Sequence, residues 1–216
     1  MPRHRPCSTR PNKRLFPMTI VGLTGSVGMG KSTVSRMLRQ MAIPVFDADA
    51  VVHALMTRDY TVRAALAASF PECVDMSRVD GVNRGALGAV IFGDVEKKRL
   101  LESILHPAVT RARRAWLRSC GRCPVVVCDI PLLFETGLHH AVDVVVVVSA
   151  PLFVQRQRVL RRSGMTPERF QAIQTHQWPD AQKRRHADVV LHSGRSLGAL
   201  RQQVMALMRT MRRGGE

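Results

Sequence analysis

Gly25-Ser26-Val27-Gly28-Met29-Gly30-Lys31-Ser32 follows a short β-rich apolar run, Thr19 to Thr24, and leads into helical spacing through Val34, Met37, Leu38 and Met41. Strand, glycine loop and helix are the context in which the pattern G-x-x-x-x-G-K-[ST] binds a nucleotide. The glycines let the backbone curl so that successive N–H groups converge on phosphate oxygens, and the helix N-terminus adds its positive end. ATP is therefore expected on Gly28, Met29, Gly30, Lys31, Ser32 and Thr33. Lys31 is the catalytic cation of such a loop, and the Ser32 hydroxyl is a ligand for Mg²⁺.

Outward from this loop the chain alternates strands and helices. Ile43 to Phe46 reads as a second strand, and Asp47-Ala48-Asp49 opens a helix carrying Val51, Val52, Leu55 and Met56. Val125 to Cys128 and Val144 to Val148 are β-branched runs of the kind buried on both faces of a parallel sheet, and Ala187 to Leu191 is a weaker fifth. Residues 58–122 and 151–186 read as helical insertions, with a loop at Asp75 to Arg84 and Pro107 opening or kinking a helix. Residues 196–213 form a closing helix. The expectation is an open α/β architecture, a mostly parallel five-stranded sheet with two helical insertions, in one domain over 18–216.

Several side chains can carry chemistry at the carboxyl ends of such strands, where open sheets bind ligands. Asp47 caps the next helix or faces the crevice. Asp49 falls within the first turn and can accept the proton of an attacking hydroxyl. Asp129 ends an apolar run beside the glycine loop if the strands are adjacent, as a second Mg²⁺ ligand or a plain strand-end cap. Arg158 and Arg162 are four apart on one helix face, so both can reach a polyphosphate. His106 is expected to pack or to cap a helix, and His139-His140 to be a surface pair.

Charge and cysteine usage narrow the classes. The 216 residues hold 33 Lys+Arg against 16 Asp+Glu, a net charge of +17, and 45% apolar residues suffice for a core. Eight of the basic residues fall in 97–122 against one acid, and eight in 155–186 against two, so the charge concentrates where polyanionic substrates would enter. No helix-turn-helix, aromatic RNA-binding signature or zinc finger is visible, which argues against a nucleic-acid partner. No apolar run approaches membrane length, and no protein partner is required by any motif. Cys120 and Cys123 supply half a zinc ligand set without a second pair, so a loop pair in a reducing cytoplasm is expected. Residues 1–17 carry five basic residues and no acid, and read as a disordered extension or an upstream start with Met18 as the working one.

Val21 to Thr33, Val45-Phe46-Asp47-Ala48-Asp49, Asp80 to Arg84, Ile91-Phe92, Leu105-His106-Pro107, Pro131 to Glu135 and Ala187-Asp188-Val189-Val190 stand in the order found in dephospho-coenzyme A kinases. The chain resembles that family from Met18 to about Leu207. The resemblance implies a three-layer P-loop kinase fold with a helical substrate-binding insertion and a helical lid. It implies a cytoplasmic phosphotransferase that uses ATP and Mg²⁺ to phosphorylate the ribose 3′-hydroxyl of dephospho-coenzyme A, the last step of coenzyme A synthesis. On its terms Asp49 is the base, Arg158 and Arg162 are lid arginines, and Asp47, Asp49, Arg84, His106, Pro131 and Leu132 hold the acceptor. Gln177, Lys183 and Ala187-Asp188 meet the family pattern near the end, whereas a usual asparagine is Ser193 here. The alternative is another small-molecule P-loop kinase acting on a nucleoside or nucleotide.

Overall fold

Strands that read as continuous apolar runs need cover on both sides, and helices between them supply it. A computed structural model describes residues 18–78 and 80–213; the expectations for residues 1–17 lie outside the described residues. Strands β1 (Thr19–Thr24), β2 (Val45–Asp47), β3 (Val125–Asp129), β4 (Val144–Ser149) and β5 (Val189–His192) form one sheet in the order β2-β3-β1-β4-β5, all neighbours parallel. The register sets Leu23 of β1 and Asp47 of β2 both opposite Asp129 of β3. Every carboxyl end therefore opens on the same edge, with the glycine loop at its centre.

Alternation sorts each strand's residues onto two faces. Val21, Leu23, Val125, Val127, Val146 and Val148 face α1 (Lys31–Gln40) and, later in the chain, the closing helix Leu197–Arg213, through Val34, Leu38, Leu200 and Val204. Ile20, Val126, Cys128, Val145 and Val147 face the other way, onto Phe46, Leu133, Phe134 and Trp116. Burial of each such side chain stabilises the fold by about 1.5–3 kcal/mol.

Between β2 and β3 run α2 (Ala48–Arg58), α3 (Tyr60–Ser69), α4 (Arg84–Ile91) and α5 (Val95–Ser119), with their own core of Met56, Val62, Leu66, Phe70, Leu87, Leu101 and Leu105. Between β4 and β5 run α6 (Leu152–Leu160), α7 (Pro167–Thr175) and α8 (Asp180–Arg185), and α9 (Leu197–Arg213) closes the chain. No helix among the described residues is long and apolar enough to cross a membrane.

Some sequence expectations need correction. β2 starts at Val45, not Ile43, because the Ile43 N–H turns back to the Leu38 carbonyl at 3.1 Å and Pro44 has no N–H for a ladder. β5 starts at Val189, since the preceding Asp188 side chain accepts from the Val145 N–H at 2.7 Å. Pro107 does not open a helix: it lies inside the 25-residue α5. His106 is exposed in mid-helix, neither packed nor capping, because the buried stripe runs through Leu101, Leu105 and Ala108. His139 is not at the surface but in a ring cluster, its centroid 5.2 Å from Phe134 and 3.9 Å from exposed His140; burial and the neighbouring His140 push its pKa down.

One buried ion pair ties the second insertion to the body. Lys183 of α8, 0% exposed, lies 2.8 Å from Glu135, whose same oxygen accepts from the Trp178 N–H at 2.7 Å. Removing one partner leaves an uncompensated charge inside, so Glu135→Ala is expected to lower folding stability by about 3–5 kcal/mol, read from the urea midpoint. A variant within 1 kcal/mol of wild type, about the ceiling for an exposed pair, would show that the pair is solvated.

Candidate active site

The glycine loop is held open by its surroundings as well as by its own backbone. Gly28 and Gly30 have φ of 78° and 88°, the left-handed region that a side chain disfavours. A Cβ on Gly28 would also stand 2.5 Å from Val159 of α6. Val27 is gripped at both backbone groups: its N–H donates to Gln177 Oε1 at 3.1 Å and its carbonyl accepts from buried Gln155 at 2.8 Å. The Met29 side chain is buried, and its carbonyl accepts from Ser193 Oγ at 2.6 Å.

Lys31 begins α1 and pairs with Asp129 Oδ1, while Ser35 donates to Asp129 Oδ2. Both oxygens of Asp129 are thus engaged, because β3 lies directly beside β1, the adjacency on which its placement depended. Ser32 is exposed at the same helix start. Lys31, Ser35 and Arg39 follow at four-residue steps, a polar stripe opposite the apolar face of α1. Arg39 in turn bonds Asp47 at 3.0 Å, and Asp47 caps α2 by accepting from the Ala50 N–H at 3.0 Å, so the capping reading of Asp47 holds.

Two cavities meet here. The larger, about 560 Å³, runs from the glycine loop past Pro131 and Arg158 to Arg195 and Leu197. Its charged lining is Lys31, Arg158, Arg162 and Arg195 against Asp49 alone, a surplus of cations suited to a polyphosphate. The smaller, about 370 Å³, is walled by Arg39, Asp47, His53 and Arg84 and carries as many acids as cations. Lys31, Ser32 and Asp49 border both.

Asp49 keeps an open face in the cleft, yet its pKa is raised. Loss of hydration is the main cause, opposed by Lys31 and Arg84 and reinforced by Asp47 and Asp129. A folded-state pKa above the unfolded one means that ionisation of Asp49 costs stability once pH exceeds the ordinary carboxylate range. Asp49→Asn is accordingly expected to melt higher than wild type at pH 7, with the gap closing as pH falls below that range; thermal midpoints measured across pH check this.

The two arginines expected from sequence to reach a polyphosphate differ. Arg158 donates from Nη1 to Ser193 Oγ at 2.9 Å and from Nη2 to the Ser193 carbonyl at 2.7 Å, so it is tied to the turn after β5. Arg162 is exposed at the cavity. Of the acceptor-side residues anticipated from sequence, Asp47, Asp49 and Arg84 come together in the smaller cavity and Pro131 borders the larger one; His106 and Leu132 line neither. Sequence reasoning passed over Ser35, Arg39, His53 and Gln155. Ser35 and His53 each lie four residues beyond a recognised site residue, Lys31 and Asp49, and that spacing was the available signal. Cys120 and Cys123 form a turn after α5, and no group of three or more metal-ligating side chains gathers among the described residues.

A family model described as dephospho-CoA kinase matches residues 19–198. The chain is similar to the dephospho-CoA kinase of Novosphingobium aromaticivorans, 50% identical over 193 residues covering 89% of this chain and 94% of that one. It is 46% identical over 187 residues to the dephospho-CoA kinase of Zymomonas mobilis, covering 87% and 93%. Among solved structures, protein TT1252 from Thermus thermophilus superposes with a TM-score of 0.78 at 36% identity, covering 89% of this chain and 97% of its own. A shikimate kinase from Acinetobacter baumannii shares the fold at a TM-score of 0.53 and 15% identity, covering 90% and 93%.

Proposed function

Since the chain belongs to the dephospho-CoA kinase family, we propose that it transfers the γ-phosphoryl group of ATP to the ribose 3′-hydroxyl of dephospho-coenzyme A, with ATP in the larger cavity and the acceptor in the smaller. The observation that carries this assignment is the meeting of a cation-rich and a charge-balanced cavity at Lys31, Ser32 and Asp49. The helical insertion of α2 to α5 then forms the far wall of the acceptor site.

Phosphoryl transfer needs positioning and charge neutralisation more than covalent chemistry from the protein. The glycine-loop amides and the start of α1 receive the β- and γ-phosphates. Lys31 turns from Asp129 onto them and follows the charge as it develops. Asp49, its pKa raised, takes the proton of the 3′-hydroxyl as the oxygen attacks. The donor set fits Mg²⁺: one exposed Ser32 hydroxyl, with phosphates and waters completing the shell, is how such sites are usually built. Bound there, Mg²⁺ would supply positive charge against the ATP phosphates. Asp129, released by Lys31, would be the carboxylate that helps to hold it.

Closure is expected from residues 161–176 rather than from the whole second insertion. α6 is fixed beneath Gly28 by Val159 and Gln155, and α8 by Lys183 and by the Asp180–Ser149 bond at 2.8 Å. The segment between them, with α7, carries Arg162 and is largely exposed. The test is ADP release measured with ATP, Mg²⁺ and a panel of dephospho-coenzyme A and nucleoside monophosphates. Turnover confined to dephospho-coenzyme A supports the assignment, and preference for a nucleoside monophosphate overturns it.

A further inference from the structure

Arg84 sits in the acceptor cavity with no carboxylate in ion-pair contact among the described residues, although its charge is felt by Asp49. The other two cations of that cavity are paired, Lys31 with Asp129 and Arg39 with Asp47. Among the described residues, the side-chain contact of the Arg84 guanidinium is instead with a ring nitrogen, His53 Nδ1 at 3.3 Å from Nη1. A guanidinium can only donate, so Nδ1 accepts, and the imidazole is held as the Nε2–H tautomer. The pair thus offers the cavity one guanidinium outside any ion pair among the described residues and one oriented N–H donor. That set matches an anion rather than a sugar or an apolar chain.

Spacing identifies which anion. His53 lies four residues beyond Asp49 on α2, hence on the same face and about 6 Å further along. With an acceptor hydroxyl at Asp49, the group one helical turn away falls at His53 and Arg84. On a ribose whose 3′-hydroxyl reacts, the group at that range is the 5′-phosphate. We propose that His53 and Arg84 together form the subsite for the 5′-pyrophosphate of the acceptor, with Arg84 supplying charge and His53 both a donor and the restraint that aims Arg84. This rests on the kinase assignment above and adds His53 as a specificity-determining residue. The pair selects acceptors phosphorylated at the 5′ position and sets the distance at which the 3′-hydroxyl meets Asp49.

Steady-state kinetics of the full-length chain test it. Arg84→Ala is expected to raise KM for dephospho-coenzyme A about 10- to 100-fold, the worth of a charge-assisted contact, and His53→Ala about 3- to 10-fold. KM for ATP stays within twofold in both. His53→Gln, which keeps an amide donor and acceptor, recovers most of the loss, and Arg84→Lys lies between wild type and Arg84→Ala. At saturating ATP, adenosine 5′-monophosphate inhibits wild type against dephospho-coenzyme A more strongly than adenosine does, and the variants lose that preference. Equal inhibition by the two compounds in wild type, an equal rise in KM for ATP, or an unchanged acceptor KM in His53→Ala and Arg84→Lys each overturns the subsite. Absence of wild-type turnover on dephospho-coenzyme A instead removes the kinase assignment itself, so the two failures are distinct.

Discussion

Lys31→Ala is expected to reduce turnover by at least about a thousandfold, the scale at which a charge-stabilising group in phosphoryl transfer is felt. Lys31 stands where both cavities meet and at the mouth of the glycine loop. The same substitution has a structural consequence, because Asp129, with a side chain only 5% exposed, loses its cation and keeps the Ser35 hydroxyl alone. The urea midpoint of Lys31→Ala should therefore fall. Neutralising the orphan in Lys31→Ala/Asp129→Asn should restore the midpoint and leave turnover lost. Recovery of turnover with stability would mean that Lys31 acts by holding Asp129 rather than by touching phosphate.

Asp49→Ala is expected to lower turnover by about 10²- to 10⁴-fold, the range for a general base, with ATP affinity unchanged. Affinity is expected to be spared because, in the proposed assignment, the loop amides and the arginines lining the larger cavity receive the phosphates. Loss of hydration raises the pKa of Asp49 above its ordinary value. Activity in wild type should accordingly fall on the acid side at a higher pH than an unperturbed aspartate would give, as protonation removes the base. Asp49→Glu is the sharper control, since it retains the carboxyl and displaces it. Near-normal turnover in Asp49→Ala, measured as ADP release at saturating substrates, would take the base role away from this residue.

Which features were legible in the linear chain follows from how far apart the interacting residues are. β1, β3 and β4 were clear because an interior parallel strand has no solvated face to interrupt its apolar run. β2 was misplaced by two residues: at three residues, on the sheet edge beside Pro44, it has little pattern of its own. The glycine loop and Asp49 were visible because their spacing is local. Pro107 starts no helix and His106 neither packs nor caps, because Leu101, Leu105 and Ala108 bury one stripe of α5, which carries the helix through the proline and turns the histidine outward. The tie of Arg158 to Ser193 spans 35 positions, and that of Gln177 to Val27 spans 150. No periodicity reports contacts of that range.

The sheet order has a kinetic meaning. With β1 in the middle, the chain returns to β2 and β3 on one flank and to β4 and β5 on the other. The two cavities thus differ in most of their lining and share only the small patch of Lys31, Ser32 and Asp49. Such a layout suits a ternary complex, with a phosphoryl group crossing directly from one guest to the next. The enzyme is a meeting place rather than a carrier.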